Sequence, residues 1–327
     1  MEPFPYDKAE YEDIPCNLCG ERSNFKVLSR IDRYGLAARA CLCRRCGLMF
    51  ISPRMTKEWY ARFYEVEYRA LLARYKRRGE VQDLEKLFYR QERAGVALAG
   101  LVRPYICQGL TIDVGSGTGG VLAGFKKVNP ALEMVGIEPA LEEASYANRR
   151  GIKTYATLFE NFNEALPAAS NVMSTANLNH LLDPRAFLVW AHRQLRDDGR
   201  LILAVQNFRL SAKQAGRVVP QIDHVFMFTP ETLRSLVESS GFRVIFFDNP
   251  ERRSFGAIER MASEGLGTHM KLVARKDKGI ETPSPILKAR YRRVAWSMST
   301  PNLKLVYYGK YLPYVLQRRL RARFNTR

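Results

Sequence analysis

Three glycines near the middle of the sequence could hold a nucleotide-like cofactor. Gly115, Gly117 and Gly119 follow an apolar stretch and precede a helical pattern, in the segment IDVGSGTGG (112–120). Glycine lets backbone N–H groups approach a ligand closely, because no Cβ stands between them. The loop also satisfies the dinucleotide pattern G-x-G-x-x-G through Gly120, so the glycines alone leave two classes of cofactor open.

Two acidic residues near this loop discriminate between those classes. Asp113 lies two positions before the first glycine, where a carboxylate would repel a dinucleotide phosphate but could bind an ammonium group. Glu138 ends the next strand, about 20 residues on, where a carboxylate can accept both hydroxyls of a ribose. The pair shifts the balance away from a dinucleotide and toward a cofactor that carries an ammonium group and a ribose. We expect Ser116, Asn177 and Glu160 to complete the cofactor site, with Glu160 on the adenine side.

Several segments resemble class I S-adenosylmethionine-dependent methyltransferases. IDVGSGTGG followed by VGIEP is similar to motifs I and II of that family. NLNHLLDP (177–184) and DHVFMFTPETLRSLVESSGF (223–242) resemble later segments of its subfamily that acts on sugars, quinones and small molecules, although Asn179 stands where a glutamate is usual. The resemblance implies that Asp113 faces the methionine end of the cofactor and that Glu138 holds its ribose.

Two of the four histidines are candidates for a general base. A hydroxyl acceptor must lose a proton during methyl transfer, and a base with a pKa near the working pH serves best. His180 follows the fourth predicted strand and His224 precedes a predicted helix, at the sheet edge where ligands bind. We predict His180 first and His224 second, with Asp223 as an orienting partner; a plain loop histidine is the alternative for either. His192 and His269 are expected in structural or surface positions.

Four cysteines near the start have the spacing of a structural zinc site. Cys16-Asn-Leu-Cys19 and Cys43-Arg-Arg-Cys46 are two CxxC pairs separated by 23 residues. Two such turns present four thiolates, which complete a tetrahedral Zn²⁺ and leave no open coordination position. Cys41 is a spare that could replace Cys43 as a ligand, and a redox disulfide is an alternative to metal binding.

The cysteine pairs also extend the resemblance. Followed by CGLMFISPRMT and FYEVEYR, they are similar in order to bacterial methyltransferases of cell-surface polysaccharide and deoxysugar clusters, which include zinc-bearing sugar C-methyltransferases. This implies a sugar or glycan acceptor, with a lipid-linked form included, and we expect O-methylation. It also implies that Tyr64 and Tyr68 cover the substrate, although packing at i, i+4 explains them equally well. Asn207, in the family's fifth-strand segment, is a further substrate candidate.

The rest of the chain supplies the elements that must position these residues. Short apolar runs alternate with helical patterns over 104–277, which indicates an α/β fold with a parallel sheet covered by helices. We predict the seven-stranded, Rossmann-like sheet of class I methyltransferases. Its strands are expected at 110–115, 133–139, 153–156, 171–177, 200–207, 243–249 and 269–276. The predicted units are a zinc-binding, loop-rich knuckle (1–55), a helical substrate-covering segment (56–103), the methyltransferase domain (104–277) and a basic, aromatic C-terminal arm (278–327).

The charge distribution indicates what the protein could bind more than how it folds. The formal net charge is +19, and residues 279–327 carry 11 Lys/Arg and one acidic residue. Interleaved aromatic residues make three interpretations possible: a peripheral membrane contact, nucleic-acid binding, or a solvated helical arm. No apolar run reaches the roughly 18 residues of a membrane helix, and the first residues lack a signal-peptide pattern. We therefore expect a cytoplasmic protein, with contact at the inner membrane surface as an option.

Two other functions remain open on the sequence. An RNA methyltransferase could use the zinc knuckle and the tail to bind phosphate, although ANLN (176–179) stands where amino-directed enzymes have an N-P-P-Y type tetrapeptide. A non-catalytic interaction protein could retain the same fold. The intact glycines, together with Asp113 and Glu138, argue against that second alternative.

Overall fold

The computed structural model describes residues 4–75, 83–254, 256–258, 266–277 and 287–324. Strands form in the N-terminal region, where we expected mostly loops. They are β1 (Tyr11–Glu12), β2 (Phe25–Ile31), β3 (Ala37–Cys43), β4 (Met49–Ile51) and β5 (Arg54–Met55). β2, β3 and β4 form an antiparallel sheet, while β1 pairs with β5.

This N-terminal sheet is completed by a strand from the distant half of the chain. Phe226–Met227 pairs antiparallel with β4, placing Phe226 opposite Phe50. Leu42, Met49 and Phe50 are buried on the two faces of the sheet. The sequence of 1–55 did not predict these strands, because β4 is short and its second partner lies about 175 residues away along the chain.

Helices follow, as expected for 56–103. They are α1 (Lys57–Arg62), a π-helical turn (Phe63–Glu67), α2 (Tyr68–Tyr75) and α3 (Leu84–Val102). Asp83 caps α3, because its side chain accepts hydrogen bonds from the N–H groups of Glu85 and Lys86. One face of α3 buries Leu87, Leu98 and other apolar residues against the sheet domain.

The central sheet contains the seven strands predicted for the methyltransferase-like domain. They are β6 (Leu110–Val114), β7 (Glu133–Ile137), β8 (Lys153–Tyr155), β9 (Ala169–Thr175), β10 (Leu195–Gln206), β12 (Phe242–Asp248) and β13 (His269–Lys276), with Phe226–Met227 counted as β11. Their order is β12-β13-β10-β9-β6-β7-β8. β13 runs antiparallel to both neighbours, whereas the pairs from β10 to β8 are parallel. The carboxyl ends of β6, β7 and β9 therefore meet at one edge, where ligands bind in such sheets.

In the part of the chain that the structure describes, five α-helices lie between β6 and β12. They are α4 (Gly120–Val128), α5 (Leu141–Arg149), α6 (Pro184–Gln194), α7 (Phe208–Ala215) and α8 (Pro230–Glu238). Asp183 and Thr229 cap α6 and α8, each directly ahead of a proline at the first helical position. We did not predict α7. Helices α3 and α4 approach closely at glycine: a Cβ on Gly95 would lie 2.4 Å from the Val121 carbonyl oxygen.

Three helices end the described chain: α9 (Leu287–Ser297), α10 (Thr300–Val306) and α11 (Leu312–Phe324). Val294, Met298 and Leu303 are buried in a cluster that includes Leu42 and Met49 of the N-terminal sheet. The C-terminal arm is therefore docked on that sheet by apolar contacts. Within the described ranges, no helix has the length and apolarity needed to cross a membrane.

Candidate active site

The glycine loop connects β6 to α4 along a strongly bent path. Gly115, Gly117 and Gly119 have φ angles of 79°, 56° and 78°, which residues with a Cβ rarely adopt. A Cβ on Gly115 would lie 2.1 Å from Cγ of Asn177, the residue that follows the end of β9 by two positions. The bare backbone of the loop is thus what allows the Asn177 side chain to lie against it.

Glu138 turns its carboxylate toward this loop. Its Oε2 accepts a hydrogen bond from the Gly117 N–H at 2.8 Å, and its Oε1 accepts one from the Ala140 N–H at 2.9 Å. Burial, assisted by the nearby Glu143 carboxylate, raises the pKa of Glu138 to about 8. Each oxygen keeps a second lone pair, so the side chain can still accept hydrogen bonds from ribose hydroxyls.

Asp113 is a buried acid without a counter-ion. It is 1% exposed, and neither carboxyl oxygen has a partner in hydrogen-bond geometry in the described part of the chain. Burial raises its pKa to about 8, against a smaller opposite effect of the Thr175 backbone. A buried carboxylate of this kind is costly unless a cation pairs with it. The ammonium group of S-adenosylmethionine has the required charge, so the residues present fit that cofactor.

A cavity of about 310 Å³ lies at this edge of the sheet. It extends from the glycine loop to the helical segment that includes α1 and α2. Its lining includes the predicted residues Tyr64, Tyr68, Gly115, Gly117, Glu138, Glu160, Asn177 and His180. The structure thus brings five of the eight predicted cofactor residues and the first candidate base to one space, which can hold a cofactor beside an acceptor.

Asp113 does not line the cavity, and neither do Ser116 and Gly119. Ser116 is buried with its Oγ above Gly136, and Gly119 packs against Ala147 and Ile152 at the start of α4. Glu160 lines the cavity, but its Oε1 is already engaged by the N–H of Leu182 at 3.0 Å. Ser116, Gly119 and Glu160 therefore shape the site more than they offer free groups to a ligand.

Asn207 does not line the cavity, so it lies apart from the space that we expected it to share with a substrate. It is 0% exposed and caps α7, where its Oδ1 accepts a hydrogen bond from the Leu210 N–H at 3.0 Å. Its Nδ2 donates to Glu251 at 3.0 Å. An asparagine before a helical stretch is a capping signal, and our prediction missed it together with α7.

His180, Asp223 and His224 form a compact cluster at the far end of the cavity. Nδ1 of His180 and Nε2 of His224 lie 3.9 and 3.6 Å from Oδ2 of Asp223, and the two rings meet edge to face with centroids 4.6 Å apart. Burial lowers the pKa of both histidines, that of His224 well below its usual value. Both rings therefore favour the neutral form, which a general base requires.

The two predicted tyrosines stand beside His180. The Tyr64 hydroxyl lies 3.2 Å from Nδ1 of His180 and donates to the Asp223 carbonyl oxygen, also at 3.2 Å. The Tyr68 ring meets the His180 ring edge to face, with centroids 6.0 Å apart. The two tyrosine rings pack against each other, with their centroids 5.3 Å apart, and both residues also line the cavity.

The cavity includes charged and polar residues that the sequence did not indicate. Arg69 of α2, Gln91 of α3 and Glu143 of α5 all line it, and Arg69 forms an ion pair with Glu143 at 3.3 Å. Ala176, directly after β9, has a positive φ of 56°, a conformation found at functional sites. No sequence signal pointed to these positions as parts of the site, and the packing of α2, α3 and α5 brings Arg69, Gln91 and Glu143 together.

The four predicted cysteines converge on one point, away from this cavity. Their sulfur atoms lie within 4.8 Å of one another, with Cys16–Cys46 at 3.4 Å and Cys19–Cys43 at 3.5 Å. Gly20 and Gly47 close the two turns with φ angles of 73° and 83°. Cys41 lies outside the group, near the Ser52 carbonyl oxygen. The donor set of four sulfurs fits a tetrahedral metal ion.

One comparison with known protein families agrees with this geometry. The family model described as "Methyltransferase domain" matches residues 60–245, more than half of the chain. No curated protein sequence matches. Among solved structures, the plantazolicin methyltransferase BpumL in complex with SAH is 16% identical, covers 67% of this chain and 94% of its own, and has a TM-score of 0.48.

Two further solved structures are similar. CcbJ from Streptomyces caelestis is 14% identical, with 57% of this chain and 89% of that chain covered and a TM-score of 0.43. A possible histamine N-methyltransferase from Thermotoga maritima is 19% identical, with 59% and 94% covered and a TM-score of 0.42. Because the family model spans the glycine loop, Glu138 and His180, the chain belongs to the methyltransferase domain family and is a class I S-adenosylmethionine-dependent methyltransferase.

Proposed function

We propose that this enzyme methylates a hydroxyl group of a sugar or a cell-surface glycan intermediate. The single observation that supports the proposal is the shared cavity, in which the glycine loop and Glu138 face the same space as His180 and the two tyrosines. A hydroxyl acceptor needs a base, and the neutral His180 ring supplies one beside that space. The sugar itself is proposed from the resemblance of the N-terminal segments.

Some residues of the site bind the cofactor and the acceptor, and others take part in proton transfer. When bound, S-adenosylmethionine would supply an electrophilic methyl group, whose bond to the sulfonium breaks as the acceptor oxygen bonds to that carbon. Asp113 would hold its ammonium group, and Glu138 would accept its ribose hydroxyls. His180 takes the hydroxyl proton, while Asp223 stabilises the resulting imidazolium. Tyr64 and Tyr68 hold the acceptor against His180 and exclude water.

We further propose that the four cysteines bind one structural Zn²⁺. All four sulfurs are available, and a four-thiolate site has no open position for chemistry. The ion would stabilise the N-terminal sheet, because it would tie the turn that carries Cys16 and Cys19 to the end of β3, where Cys43 lies.

We also propose that the C-terminal helices contact an anionic membrane surface, which suits a lipid-linked acceptor. Several large apolar side chains are exposed there, and residues 282–327 contain no acidic residue. They are Trp296, Leu305, Tyr308 and Leu316, next to the exposed Lys304 and Lys310. Exposed leucines favour hydrocarbon over nucleic acid, since base stacking requires aromatic or guanidinium faces.

Vesicle co-sedimentation tests the membrane contact. Full-length protein should bind phosphatidylglycerol vesicles and not phosphatidylcholine vesicles, and Leu305→Glu should weaken binding. Leu101→Glu, at an exposed leucine of α3, is the matched control and should bind normally. Equal binding by both variants, or salt-sensitive binding to RNA instead of vesicles, would contradict the membrane proposal.

Transfer of a radiolabelled methyl group tests the function. We would offer nucleotide sugars, lipid-linked saccharides and RNA in parallel, and expect label in a sugar hydroxyl. His180→Asn should lower the rate by at least about 100-fold, and His192→Asn should leave it unchanged. Label in RNA alone would favour the RNA methyltransferase, and no transfer at all would favour the non-catalytic alternative.

A further inference from the structure

The turn between β2 and β3 reaches the loop that carries Asp223 and His224. Oδ2 of Asp32 accepts a hydrogen bond from the Ile222 N–H at 3.0 Å, and the Arg33 N–H donates to the Pro220 carbonyl at 2.9 Å. Both ends of the loop segment 220–222 are thus held by a turn that belongs to the cysteine-bearing sheet. The turn lies outside the region that the family model matches.

Arg33 also orients a side chain that contacts the His224 ring. Its Nη1 donates to Oε1 of Gln221 at 2.7 Å, and Nε2 of Gln221 lies 3.2 Å from Nδ1 of His224. A guanidinium can only donate, so the Gln221 oxygen must face Arg33 and the Gln221 NH₂ must face the ring. Nδ1 of His224 therefore accepts, and the proton of the neutral ring lies on Nε2, 3.6 Å from Oδ2 of Asp223.

His180 has the opposite tautomer, with its proton on Nδ1. The Asp223 carbonyl can only accept, so it takes the single hydroxyl hydrogen of Tyr64. The Tyr64 oxygen must then accept from Nδ1–H of His180, at 3.2 Å. This leaves Nε2 of His180 with a free lone pair on a ring that lines the cavity. His224 does not line the cavity, and both of its nitrogens face protein groups.

We propose that Arg33 is a positioning residue, which acts through Gln221 to hold His224 as a hydrogen donor toward Asp223 and so leaves proton acceptance to His180 alone. The expected effect on kcat rests on the proposed hydroxyl methylation. The tautomers of the His180 and His224 rings do not depend on which acceptor the enzyme methylates. The turn that carries Arg33 thereby makes the cysteine-bearing sheet a part of the catalytic apparatus.

The sharpest variant is Gln221→Glu. A carboxylate at this position still pairs with Arg33 but cannot donate to Nδ1 of His224, so the ring must move its proton to Nδ1 or become charged. We expect kcat to fall at least about tenfold with unchanged S-adenosylmethionine affinity, since a wrong tautomer impairs catalysis without altering binding. Arg33→Lys should retain more activity than Arg33→Ala, and Arg30→Ala, at an exposed arginine of β2, should behave as wild type.

Long-range ¹H–¹⁵N NMR of the histidine rings measures the tautomers directly, even if no acceptor is methylated. Signals are assigned with the variants His180→Asn and His224→Asn. We expect His224 protonated at Nε2 and His180 at Nδ1 in the wild type, with the His224 pattern changed by Gln221→Glu. A wild-type His224 protonated at Nδ1, or a pattern unaffected by Gln221→Glu, would overturn the proposal.

Discussion

Nδ2 of Asn17 donates a hydrogen bond to Oδ1 of Asp183 at 2.7 Å. Asn17 lies between the first two cysteines, and Asp183 caps α6 directly after the segment that carries Asn177 and His180. Arg185 adds to the link, since its N–H donates to Oδ1 of Asn17 at 2.9 Å. The cysteine-bearing region is therefore joined at two places to segments that carry candidate active-site residues, here and through the β2–β3 turn.

This link gives zinc loss a consequence beyond the N-terminal sheet. Cys43→Ser should reduce zinc to well below one ion per chain, lower the melting temperature, and weaken methyl transfer. Plasma mass spectrometry and thermal denaturation measure the first two effects. Cys41→Ser is the matched control: Cys41 lies outside the cluster, so its removal should leave about one zinc per chain. Equal zinc content in the two variants would contradict the assignment.

The close approach of α3 and α4 predicts opposite effects for two glycines on one helix. Gly95→Ala should destabilise the protein by about 2 kcal/mol or more, because its Cβ would collide with backbone atoms of Val121. Gly100→Ala has open space around it and should stabilise α3 by about 0.5–1 kcal/mol. Urea denaturation measures both changes. A stabilising Gly95→Ala would show that the two helices are farther apart than described.

Much of this arrangement could be predicted from local sequence signals. The seven strands of the central sheet, the glycine loop and the cysteine pairs each follow from patterns of a few neighbouring residues. The pairing of β4 with β11 could not be predicted, because it joins segments that are distant in the chain. Neither could the Arg69–Glu143 pair, since it depends on how α2 packs against α5.

The pH dependence of methyl transfer should report His180. Burial lowers its pKa below the usual 6.5, against the opposing charge of Asp223; Tyr64, Tyr68 and His224 also face the ring. The neutral form is the base, so kcat should stay level from neutral pH down to below 6.5 and fall only at more acidic pH. Stopped assays across pH measure this profile. An acid limb centred above 6.5 would indicate a different base.

Asp113 should couple stability to pH in the cofactor-free protein. Its pKa is about 8 when folded, against 3.8 as the ordinary value, so ionisation favours the unfolded chain as the pH rises between these values. The melting temperature of Asp113→Asn relative to wild type should therefore increase from pH 4 to pH 8 and then level off. Scanning calorimetry tests this; a difference that does not vary with pH would exclude a raised pKa.

Isothermal titration calorimetry measures directly whether Asp113 and the glycine loop bind S-adenosylmethionine. The wild type should bind and, near pH 7, release a proton as the ammonium group favours the ionised carboxylate. Asp113→Asn should bind about 10–100-fold more weakly, since a charge-assisted contact is lost, and should release no such proton. Asp197→Asn, a matched change at an exposed position, should bind normally. Equal affinity of Asp113→Asn and wild type, or no binding by the wild type, would show that Asp113 and the glycine loop do not hold this cofactor.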